Sequence, residues 1–173
     1  MKHIFSLDGK LFLFLNRLAD LLLLNILWLI TCIPLFTIGA STTALYYVTL
    51  KGVRNEDNYI ARSFFQSFHQ NFRQATIIWT GLLLSGVFLV YDYHICRQIA
   101  TLTSLLIQNI LVILGIFLIM LGCYVFPVLS YFENTIQRTL INAALMSIAH
   151  LFHTALILIV IFLPGILMCR YLV

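Results

Sequence analysis

Charge is what this sequence most conspicuously lacks. Its 173 residues include six Asp or Glu and ten Lys or Arg, and the charged fraction of 9% compares with about 25% in ordinary soluble domains. A chain so poor in charge cannot hydrate a surface on all sides. The hydrophobic fraction of 62% exceeds the usual ~45–50% and points the same way, to an integral membrane protein of one domain, residues 1–173.

Signatures of chemistry are equally scarce. No Walker A, G-x-S-x-G, H-E-x-x-H or GxGxxG pattern occurs. The four cysteines (Cys32, Cys96, Cys123 and Cys169) lack C-x-x-C spacing and read as small buried hydrophobes ahead of metal or disulfide chemistry. The six acids, Asp8, Asp20, Glu56, Asp57, Asp92 and Glu133, lie outside the interiors of the apolar runs, so no proton or sodium relay of the coupled-transporter kind is drawn. His150 and His153 are three apart and can share a helix face, but no acid or cysteine lies near in sequence to complete a metal site. They read as interfacial polar residues, and His3, His69 and His94 are isolated. The expectation is therefore no catalytic residue, no metal ligand and no cofactor.

The net charge of +4 fits a positive-inside bias better than nucleic-acid binding, because the basic residues fall between hydrophobic stretches. The first 20 residues do not form a cleavable signal. Arg17 and Asp20 interrupt the apolar region and no A-x-A-like site follows, so the segment reads as retained.

What is present begins with an uncharged run from Leu21 to Leu50. It is longer than the ~20 residues one membrane helix needs and shorter than the ~40 that two would need. Pro34, Thr37, Gly39, Ser41, Thr42 and Thr43 fall in its middle. Charge separates two layouts. A hairpin turning near Pro34–Thr37 puts eight basic residues on the N-terminal side and leaves Arg97 and Arg170 opposite; one kinked helix divides them five to five. The hairpin, with a cytoplasmic N-terminus, follows. Its first arm must then carry Arg17 and Asp20, which are three apart and can pair.

The expected architecture is all-α and polytopic. Five membrane segments lie at about 11–33, 36–50, 75–93, 104–128 and 154–171, the first two forming the Pro/Gly-broken hairpin. Two interfacial amphipathic helices join them at about 58–74 and 133–151. In the first, Ile60, Phe64, Phe68 and Phe72 recur every fourth residue and would lie in the acyl boundary, with Arg62, Gln66, Gln70 and Arg73 opposite as a cytoplasmic contact face. In the second, Ile136, Leu140, Ala144, Ile148 and Leu151 form the apolar stripe and Asn134, Arg138 and Asn142 the polar one. Ser67–Ile78 and Ser147–Leu158 match at four of twelve positions, which a repeat and chance composition explain equally well.

The polar residues of the first run allow two readings. Asn25 can hydrogen-bond across a helix interface, Pro34 frees a carbonyl, and Thr37, Gly39, Ser41, Thr42 and Thr43 allow close helix approach. The plainer reading is a tightly packed hairpin. The functional one is an interrupted helix lining a solute path.

These residues also resemble a family. Asn25, Trp28, Pro34, Thr37–Ser41 and Thr43–Tyr46, followed by Ser63–Thr76, are similar to the ordered motifs of the YesL-like family of small bacterial membrane proteins. The resemblance is specific over about residues 20–80 and extends at the level of hydropathy to the end. It implies a bacterial cytoplasmic-membrane protein, a final helical portion shortened or lost here, and genes set beside carbohydrate ABC transporters and sensor kinases. It carries over no catalytic residue. The function expected is an accessory role in carbohydrate uptake or its regulation. The alternatives are a small-solute transporter or channel component acting as a homo-oligomer and, last, a membrane enzyme using His150, His153 and Glu133. The expected partners are the lipid bilayer and an ABC transporter or sensor kinase, not nucleic acid.

Overall fold

The computed structural model describes residues 10–53, 59–98, 101–132, 134–150 and 154. Every element among them is helical: α1 (Lys10–Thr31), a short 3-10 turn (Leu35–Thr37), α2 (Ile38–Val53), α3 (Ile60–Gln98), α4 (Leu102–Tyr131) and α5 (Ile136–Ala149). The segment expected at 154–171 lies, apart from Thr154, outside the described residues, as do Glu133, His153 and Cys169.

Among the described residues three helical stretches are long and apolar enough to cross a membrane: Phe14–Thr31, Ile60–Gln98 and Thr103–Tyr131. Lipid contact is the natural state of such surfaces, because large apolar side chains stand outward along them. Leu22, Ile26, Leu84, Val87, Leu106 and Ile113 are each more than half exposed. Most of the fully covered positions are instead small, Ala40, Ser41, Thr43, Ala44, Ser67, Ala75, Thr139, Ala143 and Ser147 among them, with Phe64 and Val125 the large exceptions. Hydrocarbon tails compete equally for leucine, so helices in a bilayer meet through residues that let backbones approach closely.

The chain divides into two compact units, Met1–Gly81 with Leu129–Glu133, and Leu82–Val128 with Asn134–Val173. In the first, α1 runs without Gly or Pro from Lys10 and stops three residues before Pro34, whose ring disfavours helical backbone at Ile33. The chain then reverses and α2 packs along α1. Leu24, Ala44, Val48 and Phe64 form the core, with Leu27, Trp28, Leu45, Tyr47, Ile60 and Phe68 around it. Phe64 stacks on Phe68 at 6.3 Å between centroids, and Phe68 meets Phe72 at 5.4 Å. The stripe expected in the acyl boundary is thus a packing face against the hairpin.

A second departure is the length of α3. An interfacial helix over 58–74 and a separate span over 75–93 were expected, yet the two are one helix of 39 residues. No proline interrupts Ile60–Gln98, and a change of solvent along a helix does not itself break its backbone hydrogen bonds. At 1.5 Å per residue α3 is ~58 Å long, about twice the hydrocarbon thickness.

In the second unit α3 and α4 run antiparallel. Gln108 donates its side-chain amide to the Cys96 carbonyl at 3.0 Å, and a Cβ at Gly86 would touch Leu118 at 3.6 Å. α4 carries Pro127 one turn before its end. α5 matches the helix expected over 133–151 but buries another face. Thr139, Ala143 and Ser147 are covered, while Ile148 of the expected apolar stripe is exposed and Ile136, Leu140 and Ala144 are half-buried. Tyr124 and Thr154 share a hydroxyl–hydroxyl bond of 2.9 Å.

Candidate functional site

The break between α1 and α2 gathers most of the residues singled out from the sequence. Ending one helix and starting another leaves carbonyls without their usual donors, and in a bilayer each such group costs several kcal/mol. The Thr37 hydroxyl answers that need across the break, and its hydroxyl neighbours bond back along their own helices or bridge them. Thr31 Oγ1 donates back to the Leu27 and Trp28 carbonyls at 2.9 and 3.1 Å. The Thr37 hydroxyl serves the Thr31 carbonyl from α1 and the Pro34 carbonyl at 2.6 Å. Its own backbone N–H also donates to Pro34 O, at 2.9 Å. Ser41 donates to Thr37 O at 3.0 Å and Thr43 to Gly39 O at 2.9 Å. Thr42 accepts the Trp28 indole N–H from α1 at 3.3 Å.

Another carbonyl of the break is met from far away. Trp79, on α3, donates its indole N–H to Leu35 O at 2.8 Å across 44 positions of sequence. A tryptophan at the edge of an apolar run reads as an interface anchor. Nothing in its local sequence announces a partner at the break. The bond also fixes a level. With Phe64 against Leu24 and Val48, it ties Ile60–Trp79 lengthwise along the hairpin. Spans at 36–50 and 75–93 would instead set Leu35 and Trp79 near opposite faces of the bilayer.

The other candidates fall outside this cluster. Gly39 is buried and Pro34 exposed. Asn25 does not bridge helices: its amide donates to Leu21 O of its own helix at 2.7 Å, and the residue is exposed. Arg17 and Asp20 are exposed too, with no ion pair joining them. Arg62, Gln66, Gln70 and Arg73 all stand exposed on α3, opposite the packed Phe64 face, as a stripe of four polar side chains spread over ~16 Å of helix. Among the described residues Thr76 Oγ1 alone is a buried side-chain polar atom without a partner; it lies one turn before Trp79. Also among the described residues, no three His, Cys, Asp or Glu side chains gather where a metal could bind, and Cys32, Cys96 and Cys123 are free thiols. His150 is exposed.

No solved structure matches this chain. It is similar to the "Uncharacterized protein YteU" of Bacillus subtilis (strain 168), with 28% identity over 178 aligned positions that cover 96% of this chain and 79% of that protein. Residues 21–93 match the model of a family described as "Protein of unknown function, DUF624". The break, α2, the C-terminal half of α1 and the Trp79 contact all lie inside that match, so the stretch similar to this family is the stretch that builds the candidate site.

Proposed function

We propose that this chain is a multi-pass protein of the bacterial cell membrane, one of the YesL-like proteins, with its N-terminus in the cytoplasm. It acts as an accessory to carbohydrate uptake or its regulation, through contacts with an ABC transporter or a sensor kinase and without chemistry of its own. The observation that carries this reading is the Arg62–Gln66–Gln70–Arg73 stripe. It is exposed on a helix whose opposite face is fixed to the hairpin, and a rigid polar face on an otherwise apolar surface serves recognition better than packing. The bacterial relative, the eight-to-two division of basic residues and the resemblance over residues 20–80 support the setting.

Co-purification from native membranes in mild detergent tests it. Wild-type protein is expected to bring down transporter or sensor components, and Arg62→Glu/Arg73→Glu to lose them at unchanged membrane level. Recovery of neither class with wild type would end this reading.

A second reading is a small-solute transporter or channel component built from several copies. The buried Thr76 hydroxyl, one turn from the contact at the helix break, is the feature that favours it. Flux through vesicles holding only this protein, lowered by Thr76→Val, is its expected sign; vesicles no leakier than empty ones would dismiss it.

A further inference from the structure

The side of α1 turned away from α2 carries a pattern of its own. Leu15, Leu18, Leu22, Asn25 and Leu29 follow at alternating steps of three and four, and the four leucines are 51%, 44%, 58% and 59% exposed. At 100° per residue these five positions fall within an arc of about 80°. Leu24, Leu27, Trp28 and Thr31, which face the fold, centre about 150° away. Only 6% of the Phe14–Thr31 stretch is buried within the fold, so the stripe is uncovered along its length.

The spacing is the heptad seam of two helices packed knobs-into-holes, with one polar residue near its centre. Asn25 is what names the partner. One of its N–H groups goes to Leu21 O, and the side-chain oxygen and second N–H face outward among leucines. A carboxamide both donates and accepts, so its simplest complement is another carboxamide at the same height. A two-fold axis parallel to the helices sets each residue of the stripe opposite its own copy. An asparagine bonded in its own fold only through one N–H to Leu21 O then completes its bonding with its own copy.

We propose that α1 pairs in parallel with α1 of a second copy of this chain through Leu15, Leu18, Leu22, Asn25 and Leu29, with Asn25 bonded to Asn25. The leucines supply fitted packing, which lipid tails nearly match. The asparagine pair supplies the register and a hydrogen bond that lipid cannot replace.

The test uses the full chain in native membranes, with Cys32, Cys96, Cys123 and Cys169 changed to Ala. Under mild oxidation Leu22→Cys and Leu29→Cys are expected to give disulfide-linked dimers. Leu23→Cys, as exposed but off the stripe, is not. Asn25→Leu is expected to lower the dimerisation constant about three- to fifteen-fold, read by energy transfer between labelled copies on dilution with lipid, and Asn25→Gln to retain most of it. Absence of energy transfer between wild-type copies overturns the proposal. So does cross-linking at Leu23→Cys as fast as at Leu22→Cys, linkage only to another protein, or an intrachain bond between Leu22→Cys and Ile159→Cys. An unchanged constant in Asn25→Leu removes the asparagine pair as its basis.

Discussion

Replacing Trp79 by Phe isolates the contact that joins α3 to the helix break. The change keeps an aromatic ring and deletes the N–H that reaches Leu35 O at 2.8 Å. Leu35 is 74% exposed and Trp79 half-buried, so the bond is neither deep in the fold nor free of it. A net value of about 1 kcal/mol suits such a bond, with a range of ~0.5–1.5. The smaller ring removes roughly one methylene's worth of apolar contact, ~0.8 kcal/mol at full burial and about half that here. The expected loss is ~1–2 kcal/mol, a shift of about five- to thirty-fold in the folded-to-unfolded ratio. Titration with a denaturing detergent in mixed micelles, followed by circular dichroism, measures it without relying on the deleted fluorophore. Thr37→Val should cost a similar amount, because it releases the Thr31 and Pro34 carbonyls of the same break. The double variant should lose less than the sum, since a break already loosened at one carbonyl holds the next less firmly. A Trp79→Phe protein within about 0.3 kcal/mol of wild type, or strict additivity with Thr37→Val, would refute a break held by shared hydrogen bonds.

Other outcomes follow from the packing. Phe64→Ala empties the fully buried centre of the α1–α2–α3 core and should destabilise by ~3–5 kcal/mol in the same titration. On α5, Ser147→Leu should destabilise by ~1–3 kcal/mol by overfilling a covered small position, whereas Leu145→Ala, 62% exposed, should change stability little. Gly39→Leu should weaken the hairpin for the same steric reason, seen as a lower midpoint of thermal unfolding in detergent.

The helix break was legible because its causes are local. Proline forbids helix at the residue before it, and threonine and serine next to freed carbonyls bond back to them. Thr37 bonds back in this way at the break, while Ser41 and Thr43 bond back along α2. Trp79 was not legible, because a partner 44 residues away leaves no mark on its neighbours. The packed face of α5 went unnoticed for a different reason. An apolar stripe marks the inside of a helix only where water is outside; with lipid outside, the four-residue spacing of Thr139, Ala143 and Ser147 is the inward signal. Ser63, Ser67 and Ala75 repeat that signal on α3, beside the phenylalanines that drew attention away from them. The stripe on α1 is hidden by abundance, because among so many consecutive leucines almost any periodicity can be drawn. Exposure alone does not choose a phase, since Phe14, Ile26 and Ile30 stand as open as the stripe; Asn25 chooses it.

The level fixed by Trp79 reaches further than its stability. Val48 is one turn from the end of α2 and Leu35 opens the turn before it, so Ile60–Trp79 covers nearly the whole length of the hairpin. Spans at 36–50 and 75–93 predict Leu35 and Trp79 on opposite faces of the membrane, and the Trp79–Leu35 bond predicts them on one. Introduced cysteines decide which one yields. Leu35→Cys and Thr80→Cys are expected to react with a membrane-impermeant maleimide from the same side of intact cells, and labelling from opposite sides would show that the Trp79–Leu35 contact does not exist in the membrane. Labelling of both from outside carries Ile60–Trp79 across with the hairpin. It also sets Arg62 and Arg73 at membrane depth, where each guanidinium is disfavoured by about 2.5–3.5 kcal/mol unless another protein surface covers it. Labelling of both only after permeabilisation makes Ala75–Tyr93 the crossing and holds the hairpin at the cytoplasmic boundary, with the Arg62–Arg73 stripe beside headgroups. The eight-to-two division of basic residues is kept only in the second case, because the first takes Arg62 and Arg73 off the cytoplasmic side and into the membrane.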